Sequence, residues 1–423
     1  MWVCGLLPSQ AAVAPATPTA EAMIQWVRQL ENGDFAKREE AQQRLIAIGP
    51  PVLEHLPSED VVPAGETRSR LQTIRQKLER MAEQARQALV NPTQVTLEGK
   101  WSLQRALAEF ERQTGNKVAD YREQLGQDPH DPELELQLRG ADFWPALDHV
   151  LDRAGMTLYA FTDSPRTLAF VQREDNQHPA IGRVEYADAL RIEPVSLNAV
   201  RHLQDKGQDA LSITLGIGWE PRLTPLVLQL PIPSLRIDDD QGTSLLPAAQ
   251  ETHLEVSVDA NQALVDLEIP AALPPRNASM VRTLSGTLRA LIAGPIEEFP
   301  FKDLETAKPI VVRKENVTLT VEDMRKSADV YELLLAVQYD EATGVLDSPR
   351  EWIFANEAFL VDSKGTRIDY DGLETFRQTP EQMGISFKFV LENGPAGMTF
   401  IYRCPASIIP REFPFELRDL PLP

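Results

Sequence analysis

Cysteine is scarce in this chain, since Cys4 and Cys404 are the only two among 423 residues. Two cysteines cannot build a disulfide framework, and one bridge between positions so far apart would need a geometry that no sequence can establish. Long hydrophobic runs are missing as well, because no stretch of 18 apolar residues occurs. The sequence therefore leaves the redox compartment open and predicts no transmembrane span.

Basic side chains are outnumbered, with 42 lysines and arginines against 63 aspartates and glutamates and a net charge of -21. Such a charge repels a phosphate backbone, so we expect no nucleic-acid partner. Excess acidity most simply indicates a solubilising surface. The sharper alternative is that it attracts cations or basic partners.

Recognisable catalytic motifs are also lacking. No P-loop, G-x-S-x-G, HExxH or CxxC pattern occurs, and the segment from Gly216 to Pro221 replaces the third glycine of a dinucleotide-binding loop with proline. No two histidines stand four residues apart; they are His55, His130, His149, His178, His202 and His253. We therefore nominate no catalytic, cofactor-binding or metal-binding residue and expect no cofactor.

One cluster of carboxylates is the best candidate for a cation site. Asp238, Asp239 and Asp240 precede Gly242, and carboxylates clustered at a turn can ligate calcium. The spacing departs from that of a calcium-binding EF-hand loop, and a similar stretch near Asp362 has fewer carboxylates. We favour a structural turn and keep calcium as the alternative.

Length and composition indicate a folded protein of several domains. A chain of 423 residues suggests roughly three or four domains. Apolar residues make up 43% and charged residues 25%, which is ordinary for globular proteins. The 33 prolines, many of them beside apolar runs, indicate β domains with sharply bounded strands.

Residues 1–16 have features of a secretory signal. A short apolar stretch from Met1 to Leu7 is followed by small residues, including Ala14 and Ala16, at the spacing of a cleavage site. A basic segment before the apolar stretch is missing. We interpret residues 1–16 as a possible signal-peptide remnant and expect an exported protein of the periplasm or cell envelope; a frayed terminus is the alternative.

Residues 17–91 have the apolar spacing of three helices. Ile48 is followed by Gly49, a suitable helix C-cap, and by two prolines that end the second helix. The stretch from Asp34 to Gly49 resembles the short HEAT-like helical repeat of large exported bacterial proteins. Since a solenoid needs several repeats, we expect this segment to act as a helical cap.

Residues 92–173 follow the order β-α-β-β-α-β-β. Ser102 is placed to cap the first helix, while Gly115 and Gly155 are placed to end the two helices in a left-handed conformation. This order, with its phrases of helix, glycine and strand, resembles the short N-terminal domain of secretins and TonB-dependent receptors. The resemblance implies protein contacts rather than chemistry.

The remainder of the chain reads as strands, with an internal repeat. The segment from Glu298 to Phe301 recurs from Glu412 to Phe415, and the Asp239 turn recurs at Asp362. These repeats predict two tandem β-sandwiches, 181–305 and 309–423, which resemble immunoglobulin-like domains. Each Phe-Pro-Phe motif predicts an edge strand whose aromatic side chains face the core, and the alternative is an edge that docks a partner.

The predicted fold class is multidomain α+β, mainly β: a helical cap, a small β-α-β-β-α-β-β domain and two tandem β-sandwiches. We expect a non-catalytic scaffold or protein-interaction module whose partners are envelope proteins. The alternative is a carbohydrate- or peptide-binding protein that holds a small ligand on an aromatic face containing Trp219, Tyr339 and Trp352. A hydrolase built on paired carboxylates is a third interpretation.

Overall fold

A computed structural model describes residues 20–57, 62, 65–162, 164–180, 182–204, 209–246, 252–258, 262–306, 308–327, 330–340, 351–379, 382–392 and 394–423. The possible signal-peptide remnant at 1–16 lies outside these residues. The chain divides after Leu89 into two compact units. Across the described residues the structure is mainly β, with six α-helices and six sheets, as the sequence predicts in outline.

The first unit contains the three predicted helices, α1 (Ala20–Gln29), α2 (Phe35–Ile48) and α3 (Glu66–Leu89). Asp34 caps α2 by accepting a hydrogen bond from the backbone N–H of Ala36. Gly49 ends α2 at a φ of 93°, which an L-residue would adopt only with strain. The helices share an apolar core, whose fully buried members include Leu30, Ala41, Leu45, Val52, Ile74 and Leu78.

The second unit opens with the β-α-β-β-α-β-β order that the sequence predicts. Its elements are β1 (Gln94–Ser102), α4 (Leu103–Thr114), β2 (Lys117–Asp120), β3 (Glu133–Asp142), α5 (Phe143–Ala154), β4 (Met156–Tyr159) and β5 (Thr167–Gln172). Strands β1 and β3 form an antiparallel pair, and β5 lies between β2 and β4. Gly115 and Gly155 both have a φ of 71° and end the two helices, which confirms their predicted role.

Nine strands follow: β6 (Glu185–Ala187), β7 (Leu190–Val200), β8 (Ala210–Trp219), β9 (Pro225–Pro231), β10 (Arg236–Asp239), β11 (His253–Ser257), β12 (Leu264–Ala271), β13 (Met280–Ala293) and β14 (Ile296–Phe301). One sheet has the order β12-β8-β7-β6, and a second has the order β10-β13-β9-β11. Their buried residues belong to one hydrophobic cluster, so we call these two sheets the first sheet pair.

The last third of the chain adds β15 (Ile310–Lys314), β16 (Val317–Ser327), β17 (Val330–Tyr339), α6 (Glu351–Phe354), β18 (Glu357–Val361), β19 (Arg367–Asp369), β20 (Gly372–Gln378), β21 (Gln382–Phe389), β22 (Thr399–Pro405) and β23 (Ile408–Pro421). One sheet has the order β15-β16-β17-β21-β20. The other has the order β14-β22-β18-β19. These two sheets share a second hydrophobic cluster and form the second sheet pair.

The two sheet pairs exchange their Phe-Pro-Phe strands. Strand β14 pairs with β22 in the second sheet pair, while β23 pairs with β13 in the first along almost its whole length. Phe299 and Phe301 are buried in the second cluster, and Phe413 and Phe415 in the first. The aromatic side chains face the core as predicted, but hydrogen bonding crosses the predicted division between residues 305 and 309. The domain ranges themselves stay a prediction.

The internal repeat extends to an irregularity in the strands. The register between β7 and β8 shifts at Val195, and the register between β16 and β17 shifts at Glu322. Counted from the first residue of each strand, the two bulges occupy the same position. A bulge places one extra residue in a strand and is a specific feature of a fold rather than a defect. Two segments of the chain therefore share strand order, bulge and closing motif.

Candidate functional site

A groove opens between the last strands of the two sheets in the first sheet pair. In the part of the chain that the structure describes, strand β11 ends one sheet and β12 ends the other, and both line a groove of about 540 Å³. Sheet edges present unpaired backbone groups, which is why proteins protect them or use them for binding. The groove therefore brings together two sheet edges at the margin of one hydrophobic core.

The floor of the groove is apolar because of how the two strands are registered. Leu254 and Val256 of β11 stand opposite the buried Leu230 and Leu228 of β9, so they share the core-facing side of the sheet. They remain half-buried, while Leu267 of β12 is buried. The core is thus incompletely covered along this side.

The rims of the groove carry three carboxylates and the imidazole of His253, whose Nε2 lies 3.6 Å from a carboxylate oxygen of Glu255. Glu255 lies on the outer face of β11 and accepts a hydrogen bond from Gln229 Nε2 at 2.8 Å. On the opposite rim, Asp266 and Glu268 of β12 are exposed, and Glu268 accepts a hydrogen bond from the Ser212 hydroxyl. An apolar floor between carboxylate rims suits a segment that carries both apolar and basic side chains.

The backbone of β12 points its hydrogen-bonding groups into the open edge at alternate residues. The N–H of Trp219 donates to the carbonyl oxygen of Ala263 at 3.1 Å, next to the opposed pair Leu264 and Gly218. Trp219 and Ala263 therefore form a hydrogen-bonded pair. In an antiparallel ladder such pairs alternate with non-hydrogen-bonded pairs, so the residues of the next pair, Leu264 and Gly218, direct their N–H and C=O groups away from each other. Because pairs alternate, the backbone groups of Asp266 and Glu268 point away from β8.

Pro270 occupies the same kind of position in β12 as Asp266 and Glu268, one whose backbone groups point away from β8. Pro270 lies two residues beyond Glu268, where the missing N–H would face the open edge rather than β8. Its place in β12 is therefore compatible with the ladder to β8. The edge available for a further strand lies on the N-terminal side of this proline.

A second open edge differs between the two repeats. Beyond its bulge, β7 continues as residues 195–200, which have no charged side chain. Among the described residues, β6 pairs with residues 190–192 of β7 and not with 195–200. Val195 and Val200 are 57% and 48% exposed. The equivalent residues of β16, 322–327, include four charged side chains. Charge is a common protection of edge strands, and this protection is missing from β7.

The carboxylates at Asp238, Asp239 and Asp240 have three separate partners. Asp238 pairs with Arg236, and Asp240 accepts hydrogen bonds from Ser279. Asp239 Oδ1 accepts hydrogen bonds from two backbone N–H groups of its own turn, at 2.9 and 2.7 Å. No group of three metal-binding side chains occurs in the described part of the chain. The geometry is that of a turn.

The repeated turn at Asp362 has the same construction. Asp362 Oδ1 accepts hydrogen bonds from the backbone N–H groups of Lys364 and Thr366, both at 2.8 Å. These backbone bonds hold the pKa of Asp362 below its ordinary value. Since one lysine-containing copy and one acidic copy form the same turn, the shared aspartate has a structural role in both.

The three aromatic residues proposed for a ligand face lie apart from the groove and are largely covered. Trp219 is 1% exposed, and Tyr339 is buried with its hydroxyl donating to the Pro405 carbonyl oxygen. Trp352 is half-buried, with its ring centroid 5.7 Å from that of Tyr339. The expected aromatic face is wrong for Trp219 and Tyr339, because both fill cores at the ends of strands β8 and β17. For Trp352, which lies in α6, the expectation stays a prediction.

Two buried polar networks join the β-α-β-β-α-β-β segment, β1 to β5, to the first sheet pair. Glu220 is fully buried and accepts hydrogen bonds from the Thr93 backbone N–H and hydroxyl, Asn116 Nδ2 and Arg222 Nε. All four distances lie between 2.7 and 2.9 Å. Every donor has its acceptor, which is the condition under which a buried charge is tolerated.

The second network lies on the face of α5. Asp148 accepts hydrogen bonds from Arg191 Nε and the Tyr186 hydroxyl, each at 2.8 Å. Burial raises the pKa of Asp148 above its ordinary value, while the Arg191 guanidinium opposes that shift. The nearby Trp144 indole donates to the Ala189 carbonyl oxygen at 3.0 Å. These contacts hold α5 against β6 and β7.

Sequence reasoning located both groove strands and missed the groove. The sequence predicts strands at Leu254 to Val258 and Leu264 to Leu267, and β11 and β12 lie there within a few residues. Nothing in either segment marks it as the last strand of its sheet. The available signal was Pro270 within an otherwise regular strand, because proline is confined to edges and bulges. In the described residues, no helix is long and apolar enough to cross a membrane.

Comparisons with known proteins give no assignment. No family model matches the chain, and no curated protein matches it either. One solved structure is described as the complete structure of manganese lipoxygenase of Gaeumannomyces graminis and a partial structure of zonadhesin of Komagataella pastoris. It aligns with 54% of this chain and 95% of its own at 9% identity, with a TM-score of 0.09. That similarity is too low to carry an argument.

Proposed function

We propose that the chain is a non-catalytic, exported protein of the bacterial cell envelope that acts as a scaffold or protein-interaction module. The observation that carries this proposal is the groove between β11 and β12, where two sheet edges and an uncovered margin of the core meet. Such edges bind extended polypeptide segments through main-chain hydrogen bonds. The uncharged edge of β7 offers further support.

The proposed architecture combines modules that resemble known contact domains. A HEAT-like helical cap precedes a domain similar to the short N-terminal domain of secretins, and two immunoglobulin-like sandwiches follow. The observed β-α-β-β-α-β-β order and the two sheet pairs are compatible with this assignment. The residues at 1–16 support export by their resemblance to a secretory signal.

Peptide binding is the version of the ligand alternative that an observation favours. A polypeptide can use the backbone groups of β12, whereas a sugar would depend on exposed aromatic side chains. Trp219 and Tyr339, two of the three candidates for sugar stacking, are buried, and Trp352, the third, is half-buried. The proposed ligand is therefore a segment of a partner protein.

Site-specific cross-linking in the native host tests this function. A photoreactive amino acid replaces His253, a partly exposed residue that lines the groove, and a matched variant carries it at Glu111, an exposed residue of α4. We expect discrete cross-linked envelope proteins at position 253 that do not form at position 111. Equal cross-linking at both positions, or none at position 253, would contradict the use of the groove. Cell fractionation of the same cultures tests export separately.

A further inference from the structure

We infer that the groove accepts a basic, extended segment of a partner protein, which adds as a strand to β12 and carries the pattern basic, apolar, basic. This inference rests on the proposed function and specifies its partner chemistry. It combines two independent features of β12: the direction of its backbone groups and the alternation of its side chains.

The backbone determines where the new strand pairs. Asp266 and Glu268 direct their N–H and C=O groups away from β8, so a strand added at this edge pairs opposite these two residues. Pro270 offers a carbonyl oxygen but no N–H, so pairing is weakened beyond Glu268. The expected contact is therefore short and centred on Leu267.

Side chains determine what the new strand contains. Residues directly opposite each other in an antiparallel pair share one face of the sheet, so the residues opposite Asp266 and Glu268 meet two exposed carboxylates. Lysine or arginine fits both positions. The residue between them stands opposite Leu267 and faces the apolar floor with Leu254 and Val256. A β-branched or other apolar side chain fits there.

Charge across the whole molecule agrees with this choice. The chain has a net charge of -21, which favours the approach of a basic segment and disfavours an acidic one. Because this attraction does not depend on the sequence of the segment, the test must separate general electrostatic binding from strand addition.

The probe is a fluorescent ten-residue peptide of alternating lysine and valine, titrated with the full chain by fluorescence polarisation. Three peptide controls have the same length: a block arrangement of the same residues, a version with glutamate for lysine, and versions methylated at the backbone nitrogens. Methylation of the lysine nitrogens should abolish binding in the antiparallel arrangement, since these groups face the backbone of β12. Methylation of the valine nitrogens should be tolerated.

Matched protein variants test the carboxylates. Asp266→Asn combined with Glu268→Gln removes two groove charges and keeps side-chain size, while Glu111→Gln combined with Glu305→Gln removes two exposed charges elsewhere. We expect the groove variant to bind the alternating peptide about ten-fold more weakly and the control variant to change by less than about two-fold. Circular dichroism verifies that both variants are folded.

Each result has a distinct meaning. Equal binding of the block and alternating peptides, or equal loss in both protein variants, would overturn the inference, because general charge attraction would then explain binding. Loss on methylation of the valine nitrogens alone would also overturn the stated register. If the peptides fail while cross-linking at position 253 persists in cells, the inference is wrong and the proposed function stands. If cross-linking fails too, both are wrong.

Discussion

Removal of the Glu220 carboxylate is expected to destabilise the second unit strongly. Glu220 is fully buried and accepts hydrogen bonds from two groups of Thr93 and from the side chains of Asn116 and Arg222. Glu220→Ala leaves all four donors without this acceptor. Each unsatisfied buried donor costs about 1–3 kcal/mol, and these costs are not additive.

The loss of the ion pair gives a second route to the magnitude. Truncation of one partner of a buried ion pair costs about 3–5 kcal/mol. The Arg222 side chain is 21% exposed and can be rehydrated in part, which moves the expectation to the lower end. We therefore expect Glu220→Ala to lower the free energy of unfolding by about 3 kcal/mol.

Urea denaturation of the full chain, followed by tryptophan fluorescence, measures this effect. Two of the six tryptophans, Trp144 and Trp219, are buried in the first hydrophobic cluster and report on its unfolding. With an m-value of about 3 kcal/mol per molar urea, the midpoint should fall by about 1 M. Glu111→Ala, at an exposed site on α4, is the control and should change stability by less than about 0.5 kcal/mol. A similar midpoint for the two variants would refute the role of the network.

Three further predictions concern packing and protonation. Gly218→Ala should lower the free energy of unfolding, measured by urea denaturation, by about 1–3 kcal/mol, because an added Cβ would lie 2.7 Å from a leucine methyl group. Gly372→Ala adds a Cβ in open space and should lower it less. Equal losses in the two variants would contradict this packing. Burial raises the pKa of Cys404 to about 12 from 9.0, so stability should fall as pH rises above about 9, because the unfolded thiol releases its proton first. In a Cys4→Ser background, rapid reaction of the folded thiol with Ellman's reagent at pH 8 would oppose this. Phe413→Ala should lower the free energy of unfolding by about 3–5 kcal/mol and speed amide hydrogen exchange in β13, the strand that pairs with β23. Faster hydrogen exchange in β22 alone would contradict this pairing.

Local features of the fold were predictable because they depend on neighbouring residues. Gly115 and Gly155 end helices through their own backbone conformation, and Ser102 caps α4 through a contact three residues away. The helices of the first unit follow from apolar spacing in the same way. In each case the residues that determine the structure lie within one or two turns of the chain.

The pairing of strands far apart in the chain could not be predicted from the sequence. The Phe-Pro-Phe motifs identified β14 and β23 as related edge strands, but the choice of partner depends on which sheet lies nearest after folding. Trp219 and Tyr339 looked like candidates for binding because aromatic side chains serve both cores and ligands. Their burial is a property of the assembled sheets. The groove was missed for the same reason.

The exchange of β14 and β23 has a consequence for synthesis on the ribosome. Residues of β13 are translated well before β23, the strand that pairs with them, so the first sheet pair has an unfilled edge while the second is still being made. Contacts so distant in sequence slow folding, and an open edge exposes the nascent chain to aggregation. We expect such a chain to depend on chaperones until β23 has emerged from the ribosome. In a nascent chain stalled before Ile408, the first sheet pair should be sensitive to protease.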